Sequence, residues 1–227
     1  MKILLSPIIG ALGIKEYGGV LPERMRFLHP EAAKSFREFS NRVIVSDVYR
    51  SADASLAAVR AKRGALPPGR SAHGYGLAID LGVDETLAHT GAAGTGLSKK
   101  IELDESMEAH GWYCHRRDHK RGPEDWHYNY LGKGAAIAPK VQTTSGYIEA
   151  KIMELYGQSF ILGPEDIQVA LQKLHLYSGA IDGKLGPLSK EAIMAFQKCW
   201  SLAGTSGFDD KTLRVLAFCA AEKVIVP

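Results

Sequence analysis

The chain has 227 residues, 45% of them apolar and 23% charged, with a net charge of +3. This is ordinary globular composition, and a chain of this length buries a core without covalent staples. The charge is too mild for a nucleic-acid binder, which needs a clustered basic face, and three cysteines make no disulfide framework.

Residues 1–14 are apolar, but Pro7 interrupts them and they are too short to span a bilayer. They read as a buried segment of the domain rather than an export signal, and no other stretch looks transmembrane. Residues 22–41 carry Leu28, Ala32, Phe36 and Phe39 near helical spacing. Residues 41–49 read as a strand and residues 52–62 as a helix, followed by a loop at Pro67-Pro68-Gly69-Arg70. Residues 77–83 alternate, with Leu77, Ile79, Leu81 and Val83 on one face and Ala78, Asp80 and Gly82 on the other. A flexible loop is expected over Gly91–Gly96, a helix over 98–110 and a third strand over 126–130. The basic run from His115 to Arg121 reads as a solvated loop. Residues 132–146 look like a linker. Beyond it lie three amphipathic stripes, built on Ile167, Leu171 and Leu174, on Ala192, Ile193, Phe196 and Trp200, and on Leu213, Leu216 and Phe218. Turn residues crowd 177–187 and 204–210. The expected architecture is α+β. A small antiparallel sheet with flanking helices fills 1–135, a linker spans 136–146, and a three-helix domain fills 147–227. Cys114, Cys199 and Cys219 fit free thiols, with a Cys199–Cys219 bond left open.

Ser71-Ala72-His73-Gly74-Tyr75-Gly76-Leu77-Ala78-Ile79-Asp80 offers one imidazole and one carboxylate. A straight strand points positions seven apart to opposite faces, so Gly74 and Gly76 must bend the chain at His73. Asp80 then lies on the small-residue face, with room for an ion. Glu124-Asp125-Trp126-His127 supplies a third ligand, His127. Two histidines and one carboxylate leave an open tetrahedral position, the mark of a catalytic zinc site. Glu124 is placed to act there as general base. Cys114, His115 and His119 form a second Cys/His cluster, but they complete no four-ligand finger.

These residues resemble the zinc D-alanyl-D-alanine carboxypeptidases and the L-alanyl-D-glutamate endopeptidases of phage lysins. That pattern, Ser-x-His-x-x-Gly-x-Ala-x-Asp and later Glu-x-x-His, is filled by Ser71, His73, Gly76, Ala78, Asp80, Glu124 and His127. Tyr49-Arg50-Ser51 resembles the family's Tyr-Arg-Ser, and the match covers roughly residues 20–131. The resemblance implies that Arg50 holds substrate or stabilises an oxyanion, and that Ser71 bonds either substrate or a metal ligand. Ser71, Arg50 and Trp126 are the candidate substrate contacts. Residues 165–217 resemble the three-helix peptidoglycan-binding module through Leu171-Gln172, Gly179, Ile181-Asp182-Gly183-Lys184-Leu185-Gly186 and Ala192 to Phe196-Gln197. Leu185 replaces the common Phe and Ser189 the common Thr.

Together the two resemblances imply a zinc-dependent peptidase that acts on bacterial peptidoglycan; a monomer without membrane insertion is expected. The absence of a clear signal peptide and the wall-binding tail point to a cytoplasm-made endolysin cutting L-alanyl-D-glutamate. The Glu-Asp-Trp-His segment resembles the Glu-Pro-Trp-His stretch of carboxypeptidases and points instead to removal of terminal D-alanine. A non-catalytic wall-binding protein is the reading from another class, and the complete ligand set with Glu124 argues against it.

Overall fold

The computed structural model describes residues 1–8, 12–13, 21–63, 65–89, 96–120, 122, 124–138, 140–202 and 207–226. In chain order its elements are β1 (Lys2–Pro7), β2 (Leu12–Gly13), β3 (Phe27–Leu28), α1 (Pro30–Arg37), β4 (Ile44–Asp47) and α2 (Ala52–Arg60). There follow β5 (Ala78–Leu81), α3 (Val83–His89), α4 (Gly96–Glu108), β6 (Trp112–Cys114), β7 (His127–Tyr130) and α5 (Ser145–Tyr156). The chain ends with α6 (Pro164–Lys173), α7 (Pro187–Cys199), α8 (Asp210–Cys219) and β8 (Glu222–Ile225). Most of the expected loop at Gly91–Gly96 lies outside the described residues, as does part of the turn at 204–210.

Contacts divide the chain into two units. One comprises Leu4–Arg50, Tyr75–Ile152 and Val224–Pro227; the other comprises Met1–Ile3, Ser51–Gly74 and Met153–Lys223. The first holds a five-stranded sheet in the order β2-β4-β5-β7-β6. Its pairs are antiparallel except β2–β4, which is parallel. A parallel pair needs a long crossover, and the chain from β2 to β4 supplies one that contains α1. The sheet is therefore mixed at one edge rather than purely antiparallel. A second, three-stranded sheet runs β3-β1-β8. In β1 the buried Ile3 and Leu5 alternate with the exposed Lys2 and Leu4, so this part of the apolar N-terminal run is a strand.

The helix expected over 22–41 is broken into a 3-10 turn at Glu23–Met25, β3, the short α1 and a second 3-10 turn at Ser40–Arg42. Proline is the cause. Pro30 has no N–H to give and holds His29 extended (φ −55°, ψ 144°), so the helix starts at Pro30. The apolar stripe survives, with Ala32, Phe36 and Phe39 all buried. Phe36 and Phe39 meet Trp112 edge-on at 6.4 and 6.3 Å, and Trp112 donates its indole N–H to Ser35 Oγ at 3.2 Å.

Strand β6 is absent from the sequence expectation, because three residues between Gly111 and a charged run give too little periodicity to read. Its partner β7 presents Tyr128 to the opposite side from His127 and Asn129. There Tyr128 donates to Asp104 Oδ1 at 2.6 Å, and Lys100 Nζ lies 2.5 Å from the same oxygen. Lys100, Asp104 and Tyr128 are all wholly buried. A buried ion pair is tolerated only when its polar atoms are satisfied, and Lys100 also reaches Tyr128 Oη at 3.2 Å and Cys114 Sγ at 3.5 Å. His119 Nδ1 adds a contact to Asp104 Oδ2 at 2.8 Å, which ties the 115–126 loop to α4.

In the second unit α6, α7 and α8 form a three-helix bundle over Ile167, Leu171, Ile193, Phe196, Val215 and Leu216. Its signature residues are mostly structural. The buried Gln168 accepts from the N–H groups of Asp182 and Gly183 at 3.0 and 2.9 Å and donates to Asp182 Oδ1 at 2.9 Å. Gly183 takes a positive φ of 71°, which closes the turn. Gln197 is buried and spans to Gly207 O and Thr212 Oγ1. All three cysteines are free thiols, so Cys199 and Cys219 are not bonded to each other. Among the described residues no helix is long and apolar enough to cross a membrane.

Candidate metal centre

The site is built where β5 and β7 pair. Their register sets Asp80 opposite His127 and Ala78 opposite Asn129, and directly paired residues share a face. Ala78 leaves that face open beside Asp80. His73 arrives from the preceding 3-10 turn, Ala72–Tyr75, in which Gly74 N–H bonds Ser71 O at 3.1 Å. Gly74 lies inside this turn, and the left-handed conformation falls to Gly76 (φ +67°). A Cβ on Gly76 would lie 2.4 Å from His29 N, whose N–H bonds Gly76 O at 2.8 Å. Gly76→Ala is therefore expected to destabilise the fold by about 2–4 kcal/mol, from a left-handed L-residue and an overlap with rigid backbone. Urea unfolding of the variant checks this.

His73, Asp80 and His127 each offer a ligand atom, and the three atoms lie within 4.8 Å of one another. His127 Nδ1 is 2.7 Å from Asp80 Oδ1. His73 is 2% exposed. Two imidazole nitrogens and one carboxylate oxygen converging on a part-buried spot suit zinc and leave a position for a reactant. The donor set thus fits the ion expected from the sequence.

The base candidate Glu124 stands at the entry to β7 in a left-handed conformation, φ +62°. Outside glycine this backbone is costly and concentrates at functional positions. Pro123 before it lies outside the described residues. Glu124 Oε2 is 3.1 Å from His115 Nε2, and the His115 ring packs against that of His127 with centroids 5.8 Å apart. Arg50 follows β4. Its Nη2 lies 4.0 Å from Asp80 Oδ2, while Nε and Nη2 both engage Asp47 Oδ2. Trp126 is 40% exposed, open to a ligand, and its carbonyl bonds Leu81 N–H. Ser71 is buried at the start of the turn that carries His73.

Two family models match the chain: D-alanyl-D-alanine carboxypeptidase over residues 26–133, and putative peptidoglycan binding domain over residues 163–216. Residues 26–133 are a zinc-dependent carboxypeptidase-type domain. It is fused to a C-terminal peptidoglycan-binding module. A solved structure described as that of the LdcB LD-carboxypeptidase, and of the basis of its peptidoglycan recognition, is similar at 19% identity and a TM-score of 0.41. The similarity covers 63% of this chain and 81% of that one. No curated protein matches the chain. The protein is accordingly a zinc metallopeptidase of the peptidoglycan-cleaving type.

Within the carboxypeptidase-type domain the second Cys/His cluster does not form a site. Cys114 turns into the buried Lys100 network, where burial pushes its thiol up to about 11. His119 goes to Asp104, and only His115 faces the metal residues. Burial first, then His127, holds His115 below the ordinary imidazole range against the pull of Glu124. Within the basic run, Arg116 pairs with Asp118 and Arg117 with Glu108.

Asn129 is a site residue that the sequence reading missed. It is 1% exposed and donates its amide to Thr144 Oγ1 at 3.0 Å, so its oxygen faces His127 Nε2 at 3.1 Å. Accepting that N–H leaves the Nδ1 lone pair for a metal. The signal was the alternation in His127-Tyr128-Asn129, which places Asn129 on the face of His127. Asn129→Leu is expected to weaken zinc affinity about 10–100-fold, measured by competition with a chromogenic chelator. Asp47 was missed as well; it pairs with Asp80 across β4–β5 and anchors Arg50.

Proposed function

We propose that the protein is a carboxypeptidase that removes the terminal D-alanine from peptidoglycan stem peptides. The observation that carries this is the match of the D-alanyl-D-alanine carboxypeptidase model to the span that contains Arg50, His73, Asp80, Glu124 and His127. In this reading residues 1–135 are catalytic, 136–146 link, and 147–227 hold the enzyme at the wall. Such tethering raises local substrate concentration without adding a catalytic contact.

His73, Asp80 and His127 would hold the zinc, which supplies Lewis acidity toward the scissile carbonyl and lowers the pKa of a water. Glu124 takes a proton from the attacking water as the new C–O bond forms. It passes that proton to the amine as the C–N bond breaks. Arg50 supplies a fixed cation beside Asp80, suited to an oxyanion or to the free carboxylate of a chain-terminal residue. Ser71 and Trp126 are assigned to substrate contact. The L-alanyl-D-glutamate reading leans on the start of the chain and on the wall-binding tail, and neither feature names a bond.

The test is mass spectrometry of products from pentapeptide-bearing muropeptides. Loss of one alanine residue, matched by free D-alanine, is the expected result. Fragments with a new amino-terminal glutamate would overturn it in favour of an endopeptidase.

A further inference from the structure

The half-exposed Glu124 has a long side chain to hold in one orientation, and the fold provides a partner for that purpose. His115 lies one residue beyond β6. Its N–H bonds His127 O at 2.7 Å, which extends the β6–β7 ladder, and its carbonyl accepts from Thr144 N–H at 2.9 Å. Both backbone groups are therefore fixed. Cys114 pairs with Tyr128 in the ladder, so His115 stands opposite His127 and shares its face. The two rings meet at 71°. The imidazole is mostly buried, with 17% of its side chain exposed against 55% for Glu124, and its Nε2 is 3.1 Å from Glu124 Oε2. The backbone of Glu124 is itself in a left-handed conformation, φ +62°.

We infer that His115 is a positioning residue for the reaction: its Nε2–H donates to Glu124 Oε2 and turns Oε1 toward the attacking water. This rests on the reading of Glu124 as the base. Pinning one oxygen removes rotamer freedom that the carboxylate would otherwise lose at each turnover. The rigid member of the pair is His115, anchored by the ladder and by Thr144, and the mobile member is Glu124. His115 is next in the chain to Cys114 of the buried Lys100 network, but it faces the other side of the sheet and shares none of that network's hydrogen bonds.

The experiment compares His115→Ala, His115→Gln, Glu124→Ala and the double variant His115→Ala/Glu124→Ala in the full chain, with zinc content and a kcat and KM measurement on a wall peptide. The expected result is a kcat reduced about 10–100-fold in His115→Ala, with KM and zinc content unchanged. His115→Gln, whose amide can still donate, should recover part of the loss. Adding His115→Ala to Glu124→Ala should change the residual rate no further, because the effect runs through Glu124. Imidazole nitrogen NMR of the unsubstituted protein should find the His115 proton on Nε2. Full kcat in His115→Ala beside an inactive Glu124→Ala would overturn the inference while leaving the base intact. Loss of zinc from both His115 variants, or an additive loss in the double variant, would also overturn it. Activity retained in Glu124→Ala would instead remove the base reading itself.

Discussion

Replacing Glu124 with Gln is expected to lower peptidoglycan cleavage roughly 100- to 10,000-fold while the protein keeps its zinc. The side chain keeps its length and its contact with His115, since the amide oxygen still accepts a hydrogen bond. What it loses is the ability to take a proton. Glu124 belongs to none of the three ligand positions, so zinc stoichiometry should not move. The left-handed backbone also makes a stability change small, because Gln tolerates that conformation no worse than Glu. Steady-state kinetics and metal analysis on the same preparation check both halves. A variant that retained full activity with zinc bound would remove Glu124 from the chemistry.

The second large effect concerns the ion. Asp80→Ala is expected to abolish both zinc binding and activity, and a chelator should do the same to the unsubstituted protein, with zinc restoring it. Asp80 Oδ1 is the oxygen 2.7 Å from His127 Nδ1, so its removal opens the centre of the ligand set. It also removes the acidic group that Arg50 meets across β4–β5 and leaves it with Asp47, at the end of β4. A readout independent of catalysis follows from linkage. Zinc at about one hundred times its Kd should stabilise the native protein by about 2.7 kcal/mol. The same addition should leave Asp80→Ala and His73→Ala unchanged. Thermal unfolding with and without zinc measures this directly.

Much of this site is legible in the sequence. The face shared by Ala78 and Asp80 and the two spaced motifs carried the ligands, because strand alternation is local and its period is fixed. Gly76 was legible for the same reason, as a backbone conformation that a side chain would spoil. In the C-terminal module the turn at Ile181-Asp182-Gly183 announced itself through turn residues. The sequence did not disclose that Gln168, fourteen residues earlier, holds that turn. The failures share a cause. His115 sits in a basic run that looked like a solvated loop, yet the ladder folds it onto His127. Lys100 has the spacing of a solvent-facing helical lysine, but its partners Cys114 and Tyr128 come from other strands. Such residues take their meaning from tertiary pairing, which periodicity along one segment does not encode. Residues 22–41 failed differently: an apolar stripe was present, but Pro30 breaks the backbone that would have carried it as one helix.

The central claim is that one zinc is held by His73, Asp80 and His127 and not by the nearby thiol and histidines. A crystal of the zinc-loaded protein, with anomalous difference maps collected on either side of the zinc edge, tests it most directly. The expected result is a peak within bonding distance, about 2.0–2.2 Å, of a nitrogen from His73, a nitrogen from His127 and an oxygen from Asp80. A peak on Cys114 or His119, with the His73, Asp80 and His127 atoms free of metal, would contradict it.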